Sequence, residues 1–223
     1  MPIKVAFIGA GSVGFCRRLS KDLMMVPELQ DTVFCLHDIS RRNLDMVAQL
    51  LKKDIKANKL PAKITTSMNR RKALEGADYV INCTRIGGLE GFRTDIEIPL
   101  KYGIDQCVGD TLCAGGIMYG QRNIAQILEF QKDMRELSNT SRTGGVLFLT
   151  YANPMAMNTW AALDAHDRDE GVNTVGLCHG VEGGWHQIAN ALAHLHGDDL
   201  RPDHREHCQI ICAGINHQTW YTH

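Results

Sequence analysis

Val5-Ala6-Phe7-Ile8-Gly9-Ala10-Gly11-Ser12-Val13-Gly14 decides how the rest of this chain is read. An apolar run with strand propensity, beginning at Ile3, passes directly into Gly-x-Gly-x-x-Gly, and a segment able to start a helix follows. Strand, glycine turn and helix in that order are the context a dinucleotide fingerprint requires. Gly9 allows the tight turn, Gly11 lets a pyrophosphate approach backbone without a Cβ, and Gly14 is expected to let the helix pack close to the strand. Free N–H groups and the dipole at the helix start favour the anion, with Ser12 and Val13 contributing to the same cradle. Outward from this stretch, Thr32 to His37 reads as a second strand. It ends at Asp38, an acid placed to hold a ribose diol. Acids also cap turns, so Asp38 counts because it agrees with the glycines.

The pattern then repeats. A first helix is expected over Val13 to Met25, ended by Pro27. Ser40 caps a second over Arg41 to Ala57, where Leu44, Val47, Ala48, Leu51 and Ile55 recur at helical spacing. A third strand at Lys63 to Thr66 and a brief helix at Arg70 to Leu74 lead to Ala77–Cys83, whose composition is that of a buried parallel strand. Alternating strands and helices argue for an α/β fold, a doubly wound parallel sheet of Rossmann type. Thr84 to Gly116, dense in glycine, reads as a long functional loop at the carboxyl end of the fourth strand, with one helical turn at Ile98 to Tyr102. A long helix from Ile117 to Leu137, a strand at Val146 to Thr150 and a helix at Met155 to Leu163 follow. So do a strand at Thr174 to Leu177, a helix at Val181 to Leu195 and a short strand at Cys208 to Cys212.

Composition narrows the function classes. The chain has 223 residues, 44% hydrophobic and 22% charged, which is ordinary for a globular protein able to bury a core. A net charge of -1 provides no basic field for nucleic acid or an anionic membrane. No apolar run reaches the ~18 residues of a membrane span. The amino terminus enters a strand without a basic and apolar leader. The eight cysteines form no C-x-x-C pair, and several lie in apolar runs, as reduced buried thiols do. A cytoplasmic setting is therefore expected.

Two further groups of residues carry chemistry. Cys178 and His217 each follow a strand-like segment, and a thiolate with a neutral imidazole suits a divalent transition ion that keeps positions open for substrate oxygens. The same residues also suit a small buried hydrophobe and an ordinary hydrogen-bonding ring. Asp110 stands ahead of a glycine pair and a helix, where an acid either orients a catalytic group or simply complements the helix dipole. Asn153 precedes Pro154, which pushes it out of the helical region at a strand end.

In order along the chain, Phe7-Ile8-Gly9-Ala10-Gly11-Ser12, Gly109-Asp110-Thr111, Gly115-Gly116-Ile117-Met118, Tyr151 to Trp160, Gly176-Leu177-Cys178-His179 and Cys212 to His217 resemble the NAD-dependent glycoside hydrolases of family 4. The Asn-Pro-Met-Ala-Met-Asn-Thr-Trp segment and His179 after Cys178 look most like the melibiase-type α-galactosidase branch. The resemblance implies hydrolysis by oxidation, elimination, addition and reduction, outside the two-carboxylate scheme. It implies NAD as cofactor, Mn2+ held by Cys178 and His217, and His179 as acid for the leaving group. It further implies Asn153 on the sugar and Asp110 raising the basicity of a tyrosine base that falls beyond residue 223. Cys113-Ala114 depart from the Gly-Pro that the family usually carries there. The division expected is 1–177 as the NAD-binding Rossmann-like domain and 178–223 as the incomplete beginning of a metal and substrate domain of α+β type. A small sugar substrate and a homo-oligomer complete the expectation. The competing readings are a 2-hydroxy-acid dehydrogenase, a family 4 α-glucuronidase or α-galacturonidase, and a noncatalytic NAD-binding fragment.

Overall fold

The computed structural model of the chain describes residues 2–106, 111–138, 144–196, 210–215 and 218–222. It separates into two compact units, Met1–Gly176 and Leu177–His223.

In the first unit, six strands form one parallel sheet: β1 (Lys4–Ile8), β2 (Val33–His37), β3 (Lys63–Ser67), β4 (Tyr79–Asn82), β5 (Leu147–Thr150) and β6 (Asn173–Gly176). Their order is β3-β2-β1-β4-β5-β6. The chain therefore reverses its direction of winding between β1 and β4, and the crevice outside their carboxyl ends is where such sheets bind ligands. Alternation along β1 sends Val5 and Phe7 into one apolar cluster with Phe34, Leu36, Leu44 and Leu51. Ala6 and Ile8 enter the other, with Val80, Ile127, Phe130 and Phe148. Period-two side chains on a strand covered on both faces require such a double core.

Helix α2 (Arg41–Ala57) and helix α3 (Arg70–Leu74) begin at the predicted residues, each capped by a side chain. Ser40 Oγ accepts from the Asn43 N–H at 3.3 Å and Asn69 Oδ1 from the Lys72 N–H at 3.3 Å. The segment after the glycine turn is not one regular helix. Val13–Arg17 forms a π-helical turn that continues into α1 (Arg18–Met25), and Pro27 opens a short 3-10 turn over Pro27–Leu29. Arg17, at the end of the π turn, grips both carboxylate oxygens of Asp54 on α2 at 2.8 and 2.9 Å.

The expected long loop is largely helical. Helix α4 (Gly88–Lys101) occupies its centre, and helix α5 (Cys113–Leu137) starts four residues before Ile117. Glycine density misled the reading in part because two of the glycines, Gly87 and Gly91, make room for a side chain from another helix. A Cβ on Gly87, whose φ is +87°, would lie 2.8 Å from Arg122 Nε, and one on Gly91 would lie 3.2 Å from Arg122 Nη2. Arg122 bonds Asp95 through Nη1 and Nη2 at 3.2 and 2.6 Å and donates through Nε to the Ile86 carbonyl at 2.9 Å. Asp95 is 2% exposed, so α4 and α5 are joined by a bidentate pair whose acid is buried and whose arginine is part-exposed. Helix α6 (Met155–Asp167) is one turn longer than expected and packs between β5 and β6 in the chain order.

In the second unit, helix α7 (Gly180–His196) is accompanied by an antiparallel pair, β7 (Ile211–Ile215) and β8 (Gln218–Thr222). The strand expected at Cys208 to Cys212 thus lies a few residues later and pairs with a partner that the sequence did not announce. Tyr221, opposite Cys212 in the register, donates its hydroxyl to the Gly180 carbonyl at 2.6 Å and so ties the hairpin to the start of α7.

Candidate functional site

The predicted turn forms where β1 ends. The N–H groups of Gly9 and Ala10 both donate to the His37 carbonyl, at 3.0 and 2.9 Å, which seats the turn on the end of β2. Gly9 has φ +85°, and a Cβ there would lie 2.8 Å from the Cys83 carbonyl carbon. Only glycine meets both conditions. Gly11 approaches side chains: its Cβ would lie 2.7 Å from Asp38 Oδ2 and 2.8 Å from Asn43 Cβ. The expectation for Gly14 fails, because a Cβ there would meet nothing within 4 Å. Gly14 sits on the exposed side of the π turn, facing away from the strand, so close packing does not depend on it.

Both carboxylate oxygens of Asp38 accept from backbone. Its Oδ2 accepts from the Gly11 N–H at 2.7 Å and its Oδ1 from the Ser40 N–H at 2.7 Å. The acid thereby couples the glycine turn to the start of α2. A cavity of about 680 Å³ opens beside it, lined by Gly9, Ser12, Asp38 and Asn43 on one side and by Cys83 to Gly88 on another. That size is ordinary for a bound small molecule. Gly9, Ser12 and Asp38 are thus brought to one site. Val13 and Gly14 are exposed at the start of the first helix and are not among the residues lining this cavity.

Sequence reading missed the far end of the cavity, formed by His37, Ile39, Arg70, Gln126 and Phe130. Arg70 donates through Nε to Asp133 at 2.7 Å, and its guanidinium lies 4.9 Å from the Phe130 ring centre. Burial holds the His37 imidazole below its ordinary pKa, and Arg70 adds to this, against the opposite pull of the Ser67 carbonyl and the Asp38 carboxylate. Burial also pushes the Cys83 thiol up to about 12, so it stays protonated at the cavity wall. The adjacency of His37 to Asp38 was the available signal. Arg70 gave none, because only the fold brings α3 and α5 together.

Asn153 is half-buried beyond β5, and its carbonyl accepts from the Asn123 amide on α5. The Asn158 amide holds the neighbouring Ala152 carbonyl at 2.9 Å. Cys178 and His179 are exposed immediately ahead of α7, and the His179 carbonyl accepts from the Gly183 N–H at 2.8 Å. Asp110 and His217 lie outside the described residues. Among the described residues, no group of three or more His, Cys, Asp or Glu side chains is arranged to hold a metal ion, and no helix is long and apolar enough to cross a membrane.

A cradle that a Cβ would fill, an acid bonded to that cradle and an adjoining cavity fit a dinucleotide. For a transition ion, the exposed Cys178 thiol is a suitable donor type.

Comparison with known proteins places these features. The chain is 54% identical to an α-galactosidase of Rhizobium meliloti (strain 1021) over 98% of its own length and 41% of the relative's. It is 34% identical to an α-galactosidase of Bacillus subtilis (strain 168), over 97% of this chain and 46% of that one. The chain therefore spans less than half the length of these relatives. A 6-phospho-beta glucosidase of Thermotoga maritima, solved with manganese, NAD+ and glucose-6-phosphate, shares the fold with a TM-score of 0.76 at 24% identity, over 98% of this chain and 48% of that one. Residues 4–194 match the family 4 glycosyl hydrolase model, and the chain belongs to that family.

Proposed function

We propose that this chain supplies the cofactor-binding part of an α-galactosidase that works by an oxidation–elimination–addition–reduction route dependent on NAD and Mn2+. The observation that carries the reading is the cavity joining Gly9, Ser12 and Asp38 at the point where the sheet reverses its winding. The choice of an α-galactoside follows the kinship with the Rhizobium meliloti enzyme, and family membership favours a glycosidase over a hydroxy-acid dehydrogenase.

In this reading residues 1–177 bind the dinucleotide and residues 178–223 begin the metal and substrate domain. The start of the helix, at Val13 and Gly14, receives the pyrophosphate, and Asp38 accepts the ribose hydroxyls at lone pairs its two backbone bonds leave open. Cys178 and His217 would hold the metal. When bound, NAD+ supplies an acceptor for the hydrogen at sugar C3 and Mn2+ a Lewis acid at the C2 and C3 oxygens. His179 gives a proton to the departing glycosidic oxygen, a task suited to an imidazole at neutral pH. Asn153 orients a sugar hydroxyl, and Asp110 strengthens the base that removes the C2 proton. A cytoplasmic homo-oligomer acting on a small sugar completes the proposal.

The test is release of nitrophenol from nitrophenyl α-galactoside in the presence of NAD+, Mn2+ and a reductant. Release is expected to stop when either cofactor is withheld. Cys178→Ser is expected to abolish it while leaving NAD+ affinity unchanged. Turnover without NAD+, or undiminished turnover in Cys178→Ser, would overturn the reading.

A further inference from the structure

The far end of the cavity has a polar group that the proposed chemistry does not use. His37 closes β2 and is 6% exposed. It lies one residue before Asp38, and by strand alternation its ring shares a face with Cys35, on the side of the sheet covered by α3 and α5. Its Nδ1 is 3.0 Å from the Ser67 carbonyl oxygen. A carbonyl can only accept, so Nδ1 carries the proton, and a neutral ring then offers Nε2 as an acceptor. Among the described residues Nε2 has no hydrogen-bond partner. His37 nevertheless lines the cavity, beside Ile39 (89% exposed) and the Arg70–Phe130 stack.

A base carried on the ribose that Asp38 holds must lie next to these residues. Ile39 and Phe130 give it an apolar wall that does not distinguish purines, and Arg70, a donor only, cannot receive a 6-amino group. An acceptor at the wall does: the 6-amino group of adenine donates, whereas the 6-oxo group of hypoxanthine or guanine presents lone pairs. We propose that His37 selects adenine, its Nε2 accepting a hydrogen bond from the exocyclic amino group of the dinucleotide. The inference rests on the cofactor reading above and adds to it a residue that sets base specificity.

The test is calorimetric titration of the protein with NAD+ and with nicotinamide hypoxanthine dinucleotide, in which a 6-oxo group and a proton on N1 replace the 6-amino group and bare N1 of adenine. Wild type is expected to prefer NAD+ by about tenfold, the value of one hydrogen bond at a desolvated site. His37→Phe keeps a planar ring but no acceptor, and its preference is expected to fall to about twofold or less, with thermal melting used to verify that it folds. Equal affinity of wild type for both dinucleotides, or a preference retained in folded His37→Phe, overturns the assignment of His37 alone. Failure of wild type to bind either dinucleotide overturns the cofactor reading and this inference together. Where His37→Phe does not fold, His37→Leu, which also lacks an acceptor, carries the same expectation and the same overturning result.

Discussion

The Gly11 N–H donates to Asp38 Oδ2 at 2.7 Å, across 27 residues of sequence. The turn that ends β1 and the acid that ends β2 therefore form one unit, and Ser40, bonded to the other carboxylate oxygen, extends it into α2. The loop is held in a defined conformation by an acid that also suits a ribose diol, so binding does not require the assembly of a site.

Gly11 and Gly14 are expected to behave differently on substitution by alanine. Gly11→Ala forces a methyl against Asp38 Oδ2 and Asn43 Cβ, inside normal contact, and should cost about 1–3 kcal/mol in urea unfolding. Gly14→Ala places its methyl in open space and should stay within about 0.5 kcal/mol of wild type. Equal effects of the two changes would show that the turn does not approach Asp38 as described.

Arg122 should be the most sensitive position in the α4–α5 region. Arg122→Ala leaves Asp95, 2% exposed, without its bidentate partner. Breaking a buried pair from one side costs about 3–5 kcal/mol. Arg122→Lys is expected to recover less than half of that, since one ammonium cannot serve both Asp95 oxygens and the Ile86 carbonyl. Full recovery in the lysine variant, measured by denaturant unfolding, would show that charge alone holds the helices.

Asp54 gives a pH-dependent test. The hydrogen bonds from Arg17 hold its carboxyl below the usual carboxylate range, with burial acting in the opposite direction. A depressed folded-state pKa stabilises the protein above the unfolded value, about 3.9 for Asp, and the contribution disappears as pH falls through the folded value. Asp54→Asn should lose about 0.5–1 kcal/mol at pH 7, the range for a partly exposed bidentate pair. The gap from wild type should close below about pH 4. A gap of the same size at pH 3 would assign the loss to packing.

Local chemistry made much of the scaffold legible. Alternation and apolar runs located all six parallel strands to within a residue or two, and a short capping side chain, Ser40, marked the start of α2. Each of these features is decided by neighbours in sequence. The stretch from Thr84 to Gly116 was not legible for the opposite reason. Gly87 and Gly91 are small because Arg122, more than 30 residues away, lies against them, and no local rule anticipates a side chain from another helix. Gly14 erred in the other direction: the spacing of the fingerprint was present, but the π turn rotated that residue out to solvent.

The sequence by itself determined the order of the six parallel strands, the glycine turn with its acid, and the family resemblance of the Asn153 and Cys178 segments, because these are short patterns of residue type. Tertiary structure alone decided that Asp38 bonds the glycine turn, that Asp95 and Arg122 join two helices, and that His37, Arg70 and Phe130 share one cavity. Those relationships arise when a twisted parallel sheet brings distant strand ends to one edge, and the spacing of residues along a chain carries no record of that geometry.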